Sequence, residues 1–188
     1  FLAIYAIFSV VSFQMHAPAD EISLIMVAYL LPLAIVSPIA GVFVDSWNVK
    51  YTMIASDLIR SGLFLLLLTV HSLWQIYAIL LAVSTVSSFF VPAQSITVRT
   101  IVPSEGLMSA NALVQQAWQV MQIISPAIAG LLVATFGPAS CFWIDSVTFV
   151  VSAWMISTLT IGRQPAAAVK TLRGVATELK AGGAFILT

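Results

Sequence analysis

Six apolar runs, separated by short breaks, restrict this chain to one class of fold. The runs are 1–13, 21–44, 52–70, 73–98, 110–136 and 138–161. The last five have the length of about 20 residues that an α-helix needs to cross the hydrocarbon core of a bilayer. The first reads as the remnant of a span. The chain opens on it without a start methionine or a basic leader, as a piece beginning inside a helix would. Strands of a membrane barrel are excluded, because the runs are too long and do not alternate with period two. The expected fold is all-α: a six-helix transmembrane half over 1–161 with its first helix truncated, then a linker over 162–188.

Composition agrees. Hydrophobic residues make up 61% of the chain and charged residues 7%, against roughly a quarter charged in soluble domains. So few charges cannot cover a water-exposed surface, and the lipid bilayer must be the main solvent. With a formal net charge of zero there is no basic field to attract nucleic acid. Cys141 is the only cysteine, so no internal disulfide or Cys-based metal cluster can form. In its apolar setting it reads as a packing residue. His16 and His71 stand alone in polar breaks, too isolated for a metal site.

The breaks set the orientation. Lys50 and Arg60 lie around the second-to-third break, Arg99 at the fourth-to-fifth, and Arg163, Lys170, Arg173 and Lys180 after the sixth run. The intervening breaks, 14–20, 71–72 and 137–138, carry no Lys or Arg. By the positive-inside rule this segregation places both ends of the piece in the cytosol. After 161 the sequence becomes small, polar and basic. Leu172, Val175, Ala176 and Leu179 recur at helical spacing, as in an amphipathic helix at the inner membrane face, and an apolar stretch resumes at Phe185.

The second-to-third break reads GVFVDSWNVK (41–50). It resembles the loop signature of the major facilitator superfamily, G-x-x-x-D-R-x-G-R-K/R, with Gly41, Asp45 and Lys50 in register and Ser46, Asn48 and Val49 departing from it. The stretches ASDLIRSG (55–62), PAQSITVRTIVPSEGLMSANAL (92–113) and FWIDSVTFVVSA (142–153) are similar to the drug and siderophore exporter branch, the enterobactin-exporter-like group. SPAIAG (125–130) resembles the antiporter motif of the fifth span, keeping Pro126 and Gly130, with Ser125 and Ala129 in place of glycines. The resemblance implies a twelve-span protein, of which this is the first six-helix half, with a second half missing. It also implies that Gly41, Asp45 and Lys50, with Asp57, Arg60 and Arg99, belong to a conformational latch on the cytosolic side. A glycine at 41 would let the helix end approach a neighbour closely. Asp45 and Lys50 otherwise read as an ordinary solvated loop. Asp57 and Arg60, three apart, can pair on one helix face or form an interfacial pair that snorkels.

Polar residues inside the spans are the remaining candidates. Asn111, Gln115, Gln119, Gln122 and Ser125 fall within an arc of roughly 120° on the fifth span, at ~100° per residue. Such a stripe is costly against lipid, so it lines a water-filled cavity that admits substrate, or it bonds to neighbouring helices. Ser84, Ser88 and Ser95 on the fourth span read as close-packing residues. Asp145 is the one acid well inside a predicted span and the candidate proton site, unless it merely bonds Ser146 or a helix end. Pro32, Pro38, Pro92 and Pro126 can bend their helices. No HExxH, GxSxG, paired catalytic carboxylates or GxxxxGK[ST] occurs, so neither enzymatic chemistry nor a cofactor is expected. The expected function is secondary active transport in the cell (inner) membrane: export of a small amphipathic molecule by alternating access, with proton coupling. The alternatives are a non-transporting scaffold and a membrane-embedded enzyme.

Overall fold

The computed structural model describes residues 1–160. The amphipathic segment and the further span expected beyond them lie outside the described residues. Six α-helices follow in order: α1 (Leu2–Ser9), α2 (Ala19–Ser46), α3 (Val49–Leu66), α4 (Leu73–Ile101), α5 (Leu107–Phe136) and α6 (Ala139–Thr158). The last five are long and apolar enough to cross a membrane, while α1, with a π-turn at Val10–Gln14, makes a shorter apolar helix. The described residues contain no strand, as expected for an all-α membrane fold.

Helix ends fall where the local chemistry puts them. Asn48 caps α3, its side-chain oxygen accepting from the N–H groups of Lys50 (3.1 Å) and Tyr51 (3.4 Å). The sequence around Ser72 makes a capping box. Its side chain bonds the first turn of α4, and Gln75 reaches back to the N–H groups of His71 (3.0 Å) and Ser72 (3.2 Å). Gly137, at φ +81°, closes α5 in a conformation that favours glycine. All four intrahelical prolines sit within uninterrupted helices.

Pairings across the bundle fix the up-and-down order. Tyr77, Ser84 and Ser88 of α4 donate to the carbonyls of Glu21, Tyr29 and Pro32 of α2, so these two helices run parallel. Ser61 pairs with Ser146 and Asp57 with Ser152, so α3 and α6 run antiparallel. The α2–α3 and α4–α5 breaks therefore share one end of the bundle with the end of α6. Lys50 and Arg99 lie at that end, and the opposite breaks carry no Lys or Arg.

Two packed clusters hold the bundle. The larger joins Ala3, Ala6 and Ile7 of α1 and Val11 of the π-turn to Ile25, Phe64, Leu80, Ala129 and Phe142. The smaller gathers Val44, Val49, Met53, Ala93 and Ile156 near the Lys50 end. Small residues set the α2–α4 crossing, as expected for Ser84 and Ser88, which are both buried against α2. Ser95 is exposed and bonds only within its own helix. Ser84→Leu is expected to wedge this crossing apart, at a cost of about 1–3 kcal/mol typical of overpacking. Ser84→Gly, which keeps the close approach, should cost less. Thermal unfolding in detergent would rank the two, and equal melting temperatures would refute close packing at this position.

Candidate functional site

The break at 41–50 is built from within. Ser46, where the loop signature has arginine, turns back to the Phe43 carbonyl (2.8 Å). Trp47 stacks on Phe89 of α4, with ring centroids 5.9 Å apart and planes 8° from parallel. Asn48, where the signature has glycine, has φ −76° and serves as the α3 cap, so no glycine is required there. Lys50 Nζ donates to the carbonyls of Ser157 (2.7 Å) and Leu159 (2.8 Å) at the end of α6. Asp45 is exposed and has no hydrogen bond or ion pair among the described residues. At Gly41, which is half-buried, a Cβ would meet nothing within 4 Å among the described residues. Arg99 is exposed in the last turn of α4. In the α4–α5 turn, the Glu105 carboxylate is held below its usual range by its own backbone N–H and the Ser104 hydroxyl.

Asp57 and Arg60 do pair, but not at an interface. Arg60 donates to Asp57 Oδ1 within a buried cluster, with the two residues 1% (Asp57) and 8% (Arg60) exposed. Ser152 of α6 donates to the other carboxylate oxygen at 2.7 Å. The guanidinium lies over the rings of Phe90 (α4) and Phe149 (α6), 4.3 and 4.6 Å from their centroids. Sequence position alone made Arg60 a flanking charge of the second-to-third break. It is instead some three turns into α3, roughly 15 Å beyond Lys50 at 1.5 Å per residue. Asp145 is likewise not the only acid inside a span, since Asp57 is the more deeply buried. The Asp145 carboxylate accepts from the Ala3 N–H of α1 at 2.8 Å. Ser146 pairs instead with the Ser61 hydroxyl at 2.7 Å.

The amides of α5 form the second candidate region. Asn111, Gln115, Gln119 and Gln122 are all exposed, and no hydrogen bond joins them to the rest of the described bundle. At ~100° per residue their stripe runs on into Pro126, Gly130 and Val133, within roughly 60° of Gln115. Those three residues line a cleft of about 700 Å³ between α5 and α1, faced by Tyr5, Phe8, Ser9 and Phe13. A Cβ at Gly130 would meet nothing within 4 Å, so this glycine leaves the cleft wide. Ser125 and Ala129, on the same face at about 80° and 40° from Gln115, are the buried residues of α5. One face of the helix thus changes from amides near the α4–α5 turn to small residues and a cleft at the other end. No group of three or more His, Cys, Asp or Glu able to hold a metal occurs among the described residues.

Sequence reasoning missed the target of Lys50, the aromatic faces on Arg60 and the part of Ser152. The α6 cluster had a readable signal. Asp145, Phe149, Ser152 and Ile156 recur at helical spacing, a polar and aromatic stripe on one face.

The Major Facilitator Superfamily model matches residues 1–185. An MFS-type transporter of Bacillus subtilis strain 168, YfiS, is 30% identical over 152 residues, covering 81% of this chain and 36% of its own length. The multidrug efflux pump Tap of Mycolicibacterium fortuitum is 27% identical over 158 residues, with 79% and 39% covered. Macrolide efflux protein A of Streptococcus pyogenes is 28% identical over 136 residues, with 70% and 34% covered. The chain thus spans little more than a third of the length of these relatives. No solved structure matches significantly. With five membrane-length helices and a family match over nearly its whole length, the chain belongs to the Major Facilitator Superfamily, a family of multi-pass membrane transporters and not of enzymes.

Proposed function

We propose that this chain is the first six-helix half of a secondary active exporter for small amphipathic molecules, working by alternating access against a second half that follows it. The observation that carries this reading is the single face of α5 that joins exposed amides to the α1–α5 cleft. Amides and serines can hydrogen-bond polar groups of a cargo, while Tyr5, Phe8 and Phe13 offer it apolar surface. The efflux names of several relatives support export. The positive charges of the breaks support an inner-membrane location with the Lys50 end in the cytosol. Domain limits of 1–161 for the half and 162–188 for the linker accompany this reading.

Asp45 is the residue of the break left free to engage the second half when the cytosolic side closes. Asp57 is committed to Arg60 and Ser152, which leaves Asp145 as this half's candidate for coupling to protons. The second reading is a non-transporting scaffold, which the same bundle could also serve. Active efflux separates the two. Cells expressing the full-length protein should clear a fluorescent amphipathic cation or a macrolide faster than cells with an empty vector, and a proton ionophore should abolish the difference. Equal clearance for a broad panel of such compounds favours the scaffold.

The latch has its own expected result. Asp45→Asn in the full-length protein should shift the population toward the cytosol-open state, because removing a charge-assisted contact biases a balance of only a few kcal/mol. Spin-label distances across the cytosolic side read this directly. An unchanged distribution makes Asp45 a plain loop residue.

A further inference from the structure

We infer that Lys50 is an inter-helix anchor: it caps α6 from the start of α3 and fixes the point from which the chain beyond Thr160 departs. The accounting of backbone groups carries this. A helix ends with carbonyls that have no intrahelical donor, commonly met by a local glycine turn or a basic residue in the last turn. The last turn of α6 has no basic residue. Its carbonyls are satisfied otherwise. Ser157 Oγ donates to Trp154 O (2.6 Å), Thr158 Oγ1 to Met155 O (2.7 Å) and the Leu159 N–H to Ile156 O (3.2 Å). The carbonyls of Ser157 and Leu159 both go to Lys50 Nζ, across 107 and 109 residues of sequence. A cation on these groups also opposes the negative end of the α6 dipole.

The rest of the break holds Lys50 in position for this. Asn48 caps the first turn of α3, on which Lys50 sits, and the Trp47–Phe89 stack ties the same turn to α4. The break therefore faces two ways. Trp47, Asn48 and Lys50 fasten the start of α3 to α4 and to the end of α6, and Asp45 is exposed with no partner among the described residues. The anchor concerns only this half, so it holds whatever the protein transports and in whichever direction.

Spin labels at Leu66, near the far end of α3, and at Thr160 would test it in the full-length protein with Cys141 and any further native cysteine replaced. Lys50→Met keeps the chain length and removes the donor, so the distance distribution should broaden by about one helical turn, ~5 Å. Lys50→Arg should keep it narrow. A Lys50→Met distribution as narrow as the parent's overturns the anchor, and so does a Lys50→Arg distribution as broad as that of Lys50→Met. A second measurement leaves Lys50 intact. Amine acetylation of Lys50 should run roughly tenfold slower than that of a lysine introduced at Ser104, because two charge-assisted bonds occupy its protons. Equal rates would also overturn the proposal.

Discussion

Arg60→Leu is expected to lower the melting temperature of the purified protein by roughly 10 °C and to cut the yield of monodisperse protein severely. Losing one partner of a buried ion pair typically costs about 3–5 kcal/mol, because the other charge stays behind uncompensated. The stability of a domain is only about 5–15 kcal/mol, and a shift of ~2–4 °C per kcal/mol applies at this size. Here the group left behind is Asp57, 1% exposed, with Ser152 as its remaining donor. One hydroxyl cannot replace a guanidinium that also lies over the rings of Phe90 and Phe149. Arg60→Lys should fall between, since a lysine keeps the charge but not the flat face that lies over two rings. The double variant Asp57→Leu/Arg60→Met should recover much of the loss, because no charge then remains to be buried. Size-exclusion profiles and thermal unfolding in detergent would order the four proteins. Parental stability in Arg60→Leu, or no recovery in the double variant, would show that the pair does not act as a buried unit.

What could be read in advance follows from how far each signal travels along the chain. The six helices were legible because hydropathy is local: each span declares itself within its own twenty or so residues, and the observed ends differ from the apolar runs by only a few positions. The overruns at Ala19–Asp20 and Arg99–Ile101 carry polar residues, which hydropathy leaves out of a span although they stay helical. Pairing of Asp57 with Arg60 was legible for the same reason, being three residues apart on one helix. Its burial was not, because that depends on Phe90, Phe149 and Ser152, which only packing brings together. Lys50 shows the limit most plainly. Its resemblance to a loop signature marked it as important, yet its partners are backbone carbonyls, which carry no side-chain signature in any sequence. At Gly41 a side chain would find free space among the described residues, so the motif glycine has no visible packing reason within them.

Leucine at Gln115, Gln119 or Gln122 is expected to reduce transport by tenfold or more while leaving membrane insertion and abundance near the parental level. Leucine is favoured over an amide in a membrane helix, so a purely structural effect on insertion has the opposite sign. The three amides are exposed and bond no neighbour among the described residues. Ser84, Ser88 and Ser61, by contrast, are paired to neighbouring helices. The amides also lie away from the exposed apolar side of α5. Leu113, Val120, Ile124 and Leu131 form an exposed apolar stripe on the opposite side of α5, about 140–180° away at ~100° per residue. On the proposed reading the amide side meets water and cargo. Cysteines at the three positions should react with a small polar thiol reagent, and saturating substrate should slow the reaction. If the stripe instead docks the second half, the cysteines should stay unreactive in both inward- and outward-locked protein, and the leucine variants should lose assembled protein before they lose turnover. Reactivity reports access to water and abundance reports assembly, so that pair of results would take this face of α5 out of the cargo route.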